Sequence, residues 1–477
     1  MLCVCAAILC SQLFLSPYVG MADNGDFGKV TRRLSLAPSH PEFGYRYLNA
    51  DYVFSPRNYW ESDVHSSEQW PARVAVVLSR VHKEGDIFNI RWMGLAHGTL
   101  FIASFGMLLL ATRPFRFWPS LLVRIAALFV FADVLYVAYL NSFYSDAAAL
   151  VGLLGTVAVA LLILTGRLKV WTLILYCAFA LLLVCSKSQH AFWALLPAAF
   201  LVLITRRSER LSIRFTSGVC AALLLVAAAA TMYFTPSEYK AQARFDLIFF
   251  KLGKLSDKPA DDLARLGLSP RDVRYIGFTA YVPDSPAADP KWLADFSRKT
   301  SYLGLARLYV RRPSVALRIL AYDLQTWAPY LRFDFANYRR EDANRPGERA
   351  TRFASWSDLR MGLFFRWPAH IVLWYALLAS GIILVIRSRP SVRSVSIAWL
   401  TAGIAAAGVA EFCVSSLADG VETFRHLFLF HALTDLTICL TIGGLAHGTL
   451  RSAFKLTIAP NGPSQGKVLP TSAILRT

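Results

Sequence analysis

Apolar residues in this chain come in ten blocks of roughly 17–22, the length at which a helix crosses a bilayer core about 30 Å thick. The blocks fall at 2–20, 93–111, 121–141, 147–165, 170–186, 190–205, 215–235, 368–386, 394–416 and 424–446. The charged fraction is 17% and the hydrophobic fraction 55%, against roughly 25% charged residues in soluble domains. A soluble globular fold is excluded. The expected fold is all-α, a polytopic transmembrane bundle of about ten spans. One long loop (21–92) follows the first span and a larger one (236–367) follows the seventh.

Basic residues set the expected orientation. Arg113 and Arg116 follow the second block, Arg167 and Lys169 the fourth, and Arg206, Arg207, Arg210 and Arg214 the sixth. Arg387, Arg389 and Arg393 follow the eighth, and Arg451 and Lys455 the tenth. Short basic connections stay in the cytoplasm. That puts 21–92, 142–146, 187–189, 236–367 and 417–423 outside and 447–477 inside, and the tail after Lys455, with its Pro, Gly and Ser, reads as disordered. The net charge of +19 is read as topology and headgroup contact, so no nucleic-acid partner is expected. All eight cysteines lie in apolar blocks and imply neither a disulfide framework nor a metal site. The first block lacks a basic leader and reads as a retained anchor. The alternative is a cleaved signal peptide with Gly20-Met21-Ala22 as its small-residue site.

The 236–367 loop carries 23 Lys and Arg against 15 Asp and Glu, which a long outer loop tolerates. Within it Arg311–Tyr330 mixes apolar, basic and aromatic residues and reads as a helix on the membrane surface. Glu68–Lys83 in the first loop reads likewise. Packing of both on the bundle is the alternative. Lys254–Pro290 reads as irregular polar loop. The heptapeptide GLAHGTL occurs at both 94–100 and 444–450. The copies fall on opposite sides in this topology and their flanks do not match, so the repeat is taken as coincidence.

Ionisable groups beside apolar blocks mark candidate chemistry. Four clusters sit at outer ends of spans: ADNGDF with Asp23 and Asp26, NSFYSD with Tyr144 and Asp146, SKSQH with Lys187, Gln189 and His190, and ADGVETFRH with Asp419, Glu422, Arg425 and His426. Each has a bland reading: a loop acid, a helix cap at Asp146, a snorkelling Lys187, an anchoring Arg425. Together they place both charge signs on one face. A carboxylate there can act as general base, and cations can hold a phosphate leaving group. The chain has no GxGxxG or Walker loop, so a lipid-linked donor fits better than a nucleotide.

These strings and the layout resemble the GT-C glycosyltransferases, and Asn-Gly-Asp-Phe looks like the bacterial surface-glycan hexose transferases of that class. The resemblance implies a bacterial inner-membrane enzyme that uses a polyprenyl-phosphate sugar on the outer face, with a glycan or glycolipid acceptor. It also implies inversion at the anomeric carbon. It points to Asp26 as base with Asp23 second, and to Asp146 as the second acid. Lys187 and Gln189 match a Lys-x-Gln turn, and Glu422, Arg425 and His426 a late Arg-His segment. His190 joins the phosphate-binding set by position. Many members carry an adjacent Asp-Glu pair, whereas Asn and Gly separate Asp23 from Asp26 here. That leaves the base open, and a divalent metal as well. Rival readings are an O-antigen-type ligase or polymerase, a lipid-sugar transporter or flippase, and a non-catalytic scaffold. The nearly pure apolar centres at 150–164, 173–183, 219–230 and 400–410 argue against a transporter.

Overall fold

The computed structural model describes residues 1–55, 64–82, 85–206, 208–329, 336–388 and 391–457, with 445–457 in backbone only. Arg207, Arg389, the second GLAHGTL beyond Gly444, the side chains of Arg451 and Lys455, and the tail from 458 on lie outside the described side chains. Every apolar block is helical. The helices are α1 (Leu2–Leu13), α2 (Arg91–Ala111), α3 (Phe117–Phe131), α4 (Ser145–Leu164), α5 (Val170–Val184), α6 (Ser188–Thr205), α7 (Leu211–Tyr233), α8 (Pro368–Ser388), α9 (Val392–Leu417) and α10 (Phe428–Thr457). Among the described residues α2, α4, α6, α7, α8 and α9 are each long and apolar enough to cross a membrane. The chain is a polytopic helical membrane protein.

Two blocks differ from their expected form. The first helix stops at Leu13 instead of running to 20, giving a rise of about 18 Å at 1.5 Å per residue. Pro17 cannot donate a helical N–H, and the chain folds back so that Val19 N meets Gln12 O (2.9 Å). Asn141 Nδ2 donates to the carbonyls of Leu13 (3.0 Å) and Val19 (2.8 Å), locking the turn. The block 121–141 breaks after Phe131, and Val134–Asn141 continues at 59°. Asp133 makes the break. Its Oδ1 accepts from Leu135 N (3.0 Å) and its Oδ2 from Ser357 N (2.9 Å), so it caps the second piece.

α4 is the hub. Nearly all of its residues are buried, and it packs on α2 and α5. Small residues permit this closeness. A Cβ at Gly152 would stand 2.6 Å from Leu183 N and 2.9 Å from Phe179 O, while one at Gly155 would enter the Phe179 ring. Gly152→Val should therefore push α4 and α5 apart. We expect a loss of about 1–3 kcal/mol, read as a lower thermal unfolding midpoint in detergent. At the rim, α8 keeps Val372, Leu373, Leu377 and Leu384 exposed, and α7 Phe215 and Val226. These are surfaces a bilayer covers.

The layer built from the two long loops is more ordered than its composition implies. In the first loop β1 (Leu36–Pro38), β2 (Asp51–Phe54) and β3 (Ile87–Asn89) form an antiparallel sheet in the order β1-β2-β3. The helix Gln69–Val81 lays Ala72, Ala75 and Val76 inward and keeps Trp70, Val74, Val77 and Val81 exposed. Lys83, the end of the stretch read there, lies outside the described residues.

The second loop corrects one expectation and shortens another. Lys254–Pro290 is not irregular. It contributes the helix Pro259–Arg265 and two 3-10 turns to a second hydrophobic core. Phe245, Phe249, Trp292 and Phe296 stack at its centre, with Trp292–Phe296 parallel at 5.3 Å. The helix expected over Arg311–Tyr330 is present with shorter bounds, Pro313–Thr326, and packs one stripe against the second core and α9. Pro313 starts a new helix, so Tyr302–Arg311 and Pro313–Thr326 are separate. Val315, Ile319 and Asp323 of the second are buried, while Tyr330 lies outside the described residues. The subdomain grips the turn before α10. Lys251 Nζ reaches Asp323 Oδ2 (3.0 Å), Thr423 Oγ1 (2.7 Å) and Ser416 O (3.3 Å). Burial pushes Lys251 down and Asp323 up, each towards its neutral form, and their mutual attraction opposes both shifts.

Candidate active site

The string Asn24-Gly25-Asp26-Phe27 is a shaped turn. Gly25 adopts φ +98°, a conformation that L side chains avoid. Asp23 Oδ1 accepts from Gly25 N (2.7 Å) and Phe27 N (3.1 Å), and Asn24 Oδ1 accepts from Asp26 N (3.1 Å). Phe27 is buried edge-on to Phe143 (5.7 Å) and Tyr144 (4.6 Å). The turn is thus nailed to the core, and the carboxylate of Asp26 projects from it.

The four clusters meet. Asp26 Oδ2 pairs with Arg425 Nη2 at 2.6 Å, across 399 residues of chain, and Asp26 Oδ1 with Lys29 Nζ at 2.7 Å. Asn24 Nδ2 donates to Glu422 Oε2 (2.9 Å), and the Tyr144 hydroxyl donates to Asn24 Oδ1 (2.9 Å). Arg425 also pairs with Glu422 and lies 4.7 Å over the Tyr144 ring. Glu422 holds φ +53°, a strained conformation fixed by Arg425, Asn24 and the Tyr45 hydroxyl (3.0 Å).

One side holds a second acid–base group. Asp146 receives Lys187 Nζ at 2.8 Å on each oxygen. It lies in the first turn of α4 and does not cap the helix, because Tyr144 is the N-cap. There the helix dipole favours its charge. Gln189 Oε1 lies 3.2 Å from His426 Nδ1, and His426 Nε2 lies 3.2 Å from Asp419 Oδ2. His190 turns elsewhere. Its ring is buried, with Nδ1 on Ser186 Oγ (2.7 Å) and Nε2 3.8 Å from Glu411. Its backbone N–H bonds Lys187 O (3.0 Å), but among the described residues its ring makes no hydrogen bond to Asp26, Lys187 or Arg425.

Burial would raise the Asp26 carboxyl, but Lys29 and Arg425 overcome it and hold it well below the usual carboxylate range. Asp23 goes the other way. Burial pushes its carboxyl above the ordinary value despite the N–H groups of Phe27 and Gly25. Lys29 is raised: burial opposes its charge, but Tyr239 and Asp26 prevail. The Asp26 side chain is 33% exposed and Arg425 only 7%, so the carboxylate faces solvent from a buried cationic base.

Sequence reasoning missed Lys29 and Tyr45, which carry no span-end signal, and gave Asn24, inside the ADNGDF cluster, no role of its own. It also missed Glu411, buried in α9 and held by Gln189 Nε2 (2.6 Å) and Trp193 Nε1 (2.7 Å). An acid inside an apolar block was the available signal. The donor set does not fit a divalent metal. Both Asp26 oxygens are committed to cationic side chains, and no three His, Cys, Asp or Glu side chains converge among the described residues.

No curated protein matches the chain in sequence. Solved structures of the Archaeoglobus fulgidus oligosaccharyltransferase resemble it at low similarity. One with a tethered acceptor peptide is 12% identical, TM-score 0.39, covering 96% of this chain and 50% of that one. Another, of AglB with an inhibitory peptide and a dolichol-phosphate, is 11% identical, TM-score 0.40, covering 97% and 52%. The chain therefore spans about half the length of those proteins. A family match runs through residues 1–461, taking in every helix and every site residue described above, and by it the chain belongs to the YfdI N-terminal transmembrane domain family.

Proposed function

We propose that the protein is a membrane glycosyltransferase that moves a hexose from a polyprenyl-phosphate donor to a glycan or its lipid-linked precursor at the outer face of a bacterial inner membrane. The observation that carries this is the junction of Asp26 with Arg425 and Lys29, beside Lys187–Asp146, at one end of a lipid-embedded bundle. In the reaction an acceptor hydroxyl oxygen bonds to the anomeric carbon, and its proton passes to Asp26. The bond from that carbon to the phosphate oxygen breaks, and the lipid phosphate leaves with the electron pair. Arg425, Lys29 and Lys187 stabilise its charge, with His426 beside them.

Asp26 as found is a poor base, because two cations hold its charge. The donor phosphate competes for those cations. Its arrival loosens the grip on Asp26 and raises its proton affinity where the acceptor needs it. Substrate binding thus prepares the base. Asp23, raised by burial, is the alternative base. Asp146 keeps Lys187 in place, and Gln189 orients His426. These roles for Asp23, Asp26, Asp146, Gln189, Glu422 and His426 belong to the proposal.

The ligase or polymerase reading rests on Arg and His of the second loop. Residues 236–367 contain no histidine, so a loop centre built on Arg and His lacks one of its two group types. The test is turnover of a labelled polyprenyl-phosphate hexose by the purified protein in vesicles. We expect acceptor-dependent release of polyprenyl phosphate, reduced about 10²-fold or more in Arg425→Gln. Equal turnover in that variant would sink the proposal.

A further inference from the structure

The first loop and the segment before α8 border an open groove of about 470 Å³ that the proposed chemistry does not use. Its size is that of a small-molecule pocket. His40, Phe43, Asn49 and Asp51 line it from one side, Arg339, Arg340 and Glu341 from the other. The walls are tied together by backbone bonds, Leu48 N to Tyr338 O (2.9 Å) and Gly347 N to Arg46 O (2.8 Å).

The lining has a specific chemistry. His40 and Phe43 stack at 4.6 Å with rings 14° apart, making an aromatic plate. Asn49 is 5% exposed, and its Nδ2 donates to His40 O (3.1 Å). Its amide thereby fixes the backbone of the His40 turn that borders the groove. Two guanidinium groups face two carboxylates. Arg339 is bound to Glu341 (2.7 Å) and Asp342 (2.7 Å), and Asp51 to Asn89 (2.7 Å). The formal charges of the lining cancel, so an anion such as a phosphate gains nothing there. Planar donors and acceptors of both kinds, around an aromatic plate, suit a ring with many hydroxyl groups and an apolar C–H face.

The groove is also next to the site. The strip that forms its wall carries Tyr45, whose hydroxyl donates to Glu422 Oε1 (3.0 Å). We infer that this pocket is a subsite for a neutral saccharide, holding a sugar unit of the acceptor glycan remote from the unit that receives the hexose. Its role as an acceptor subsite rests on the transferase reading; its capacity to bind sugar rests on the pocket alone.

The test uses the full-length protein in detergent against an array of neutral tri- and tetrasaccharides, with bound ligands titrated by saturation-transfer NMR. Wild type and Asp26→Asn should bind the same oligosaccharide with equal affinity, because Asp26 does not line the pocket. Arg340→Ala and Phe43→Ala should weaken it about tenfold, the loss of one charge-assisted hydrogen bond or one stacking face. Arg340 is exposed, so its removal leaves folding intact. No binding anywhere on the array overturns the inference. So does unchanged affinity in both pocket variants, and so does loss of binding in Asp26→Asn, which would place the sugar in the catalytic cleft. Saccharide binding without turnover of the polyprenyl donor would keep the pocket and sink the transferase reading.

Discussion

Asp26→Asn is expected to remove one sugar from the surface glycan of cells while the protein's membrane level, read by blot, stays unchanged. The substitution keeps the shape of the side chain and deletes its basicity. General-base loss alone amounts to about 10²–10⁴ in rate, enough to erase the modification in a growing culture. Stability should fall only in part, because the amide still accepts from Arg425 and Glu422 remains its counter-charge. The Asp26 side chain is one-third exposed, and partly exposed ion pairs contribute about 1 kcal/mol or less. The sign of the pH effect also separates folding from chemistry. The folded carboxyl of Asp26 lies below its unfolded value. The stabilisation from its pairs is therefore present above the unfolded pKa of about 3.9 and is lost only as pH falls through the lower folded value. An unchanged glycan in Asp26→Asn would make this carboxylate structural and turn attention to Asp23. In Asp23→Asn alone a smaller defect is expected, since that side chain shapes the turn through Gly25 and Phe27.

The second large effect is on folding. Arg360 and Asp435 are both fully buried and pair at 2.8 Å. Asp435 Oδ2 also accepts from Tyr136 (2.7 Å) and Trp356 (2.7 Å), and Arg360 Nη2 lies 3.0 Å from His431 Nδ1. This group joins the segment before α8 to α10 and the bend after α3. Arg360→Met leaves a buried carboxylate without its counter-charge, and removing one partner of such a pair costs about 3–5 kcal/mol. A steep fall in thermal midpoint and in membrane level is expected. Arg360→Met combined with Asp435→Asn should recover most of the loss, because the amide still accepts from Tyr136 and Trp356 and carries no charge. If the double variant is no better than the single one, the ion pair is not what holds this joint together.

The spans and the neighbourhood of Asp26, Lys187 and Arg425 were legible for one reason. Apolar length is a one-dimensional quantity, and charges at block ends announce themselves. Partnership is not one-dimensional. Asp435 and Glu411 stand out as acids in apolar blocks, but nothing in their flanks names Arg360 or Trp193, which only packing brings to them. The break at Asp133 was hidden because the residues around it remain apolar while the helix axis turns. The second loop misled through composition. Asp, Pro and Lys between 254 and 290 sit in turns around Phe245, Phe249, Trp292 and Phe296, two i,i+4 pairs that lie outside the polar stretch and so do not announce that it packs against them.

The pairing of Asp26 with Arg425 has a consequence for how the protein is made. The two residues are 399 positions apart. A ribosome adding about 5–20 residues each second takes on the order of tens of seconds to travel from one to the other. During that time the first loop already faces its compartment while the last helix has not been made. A half-synthesised chain holds an acidic turn without Arg425 beside it, and so lacks the junction on which the proposed chemistry depends. Under the proposed function, activity would begin only with insertion of the final span, and a chain stalled or cut before residue 425 would lodge in the membrane as an inactive fragment.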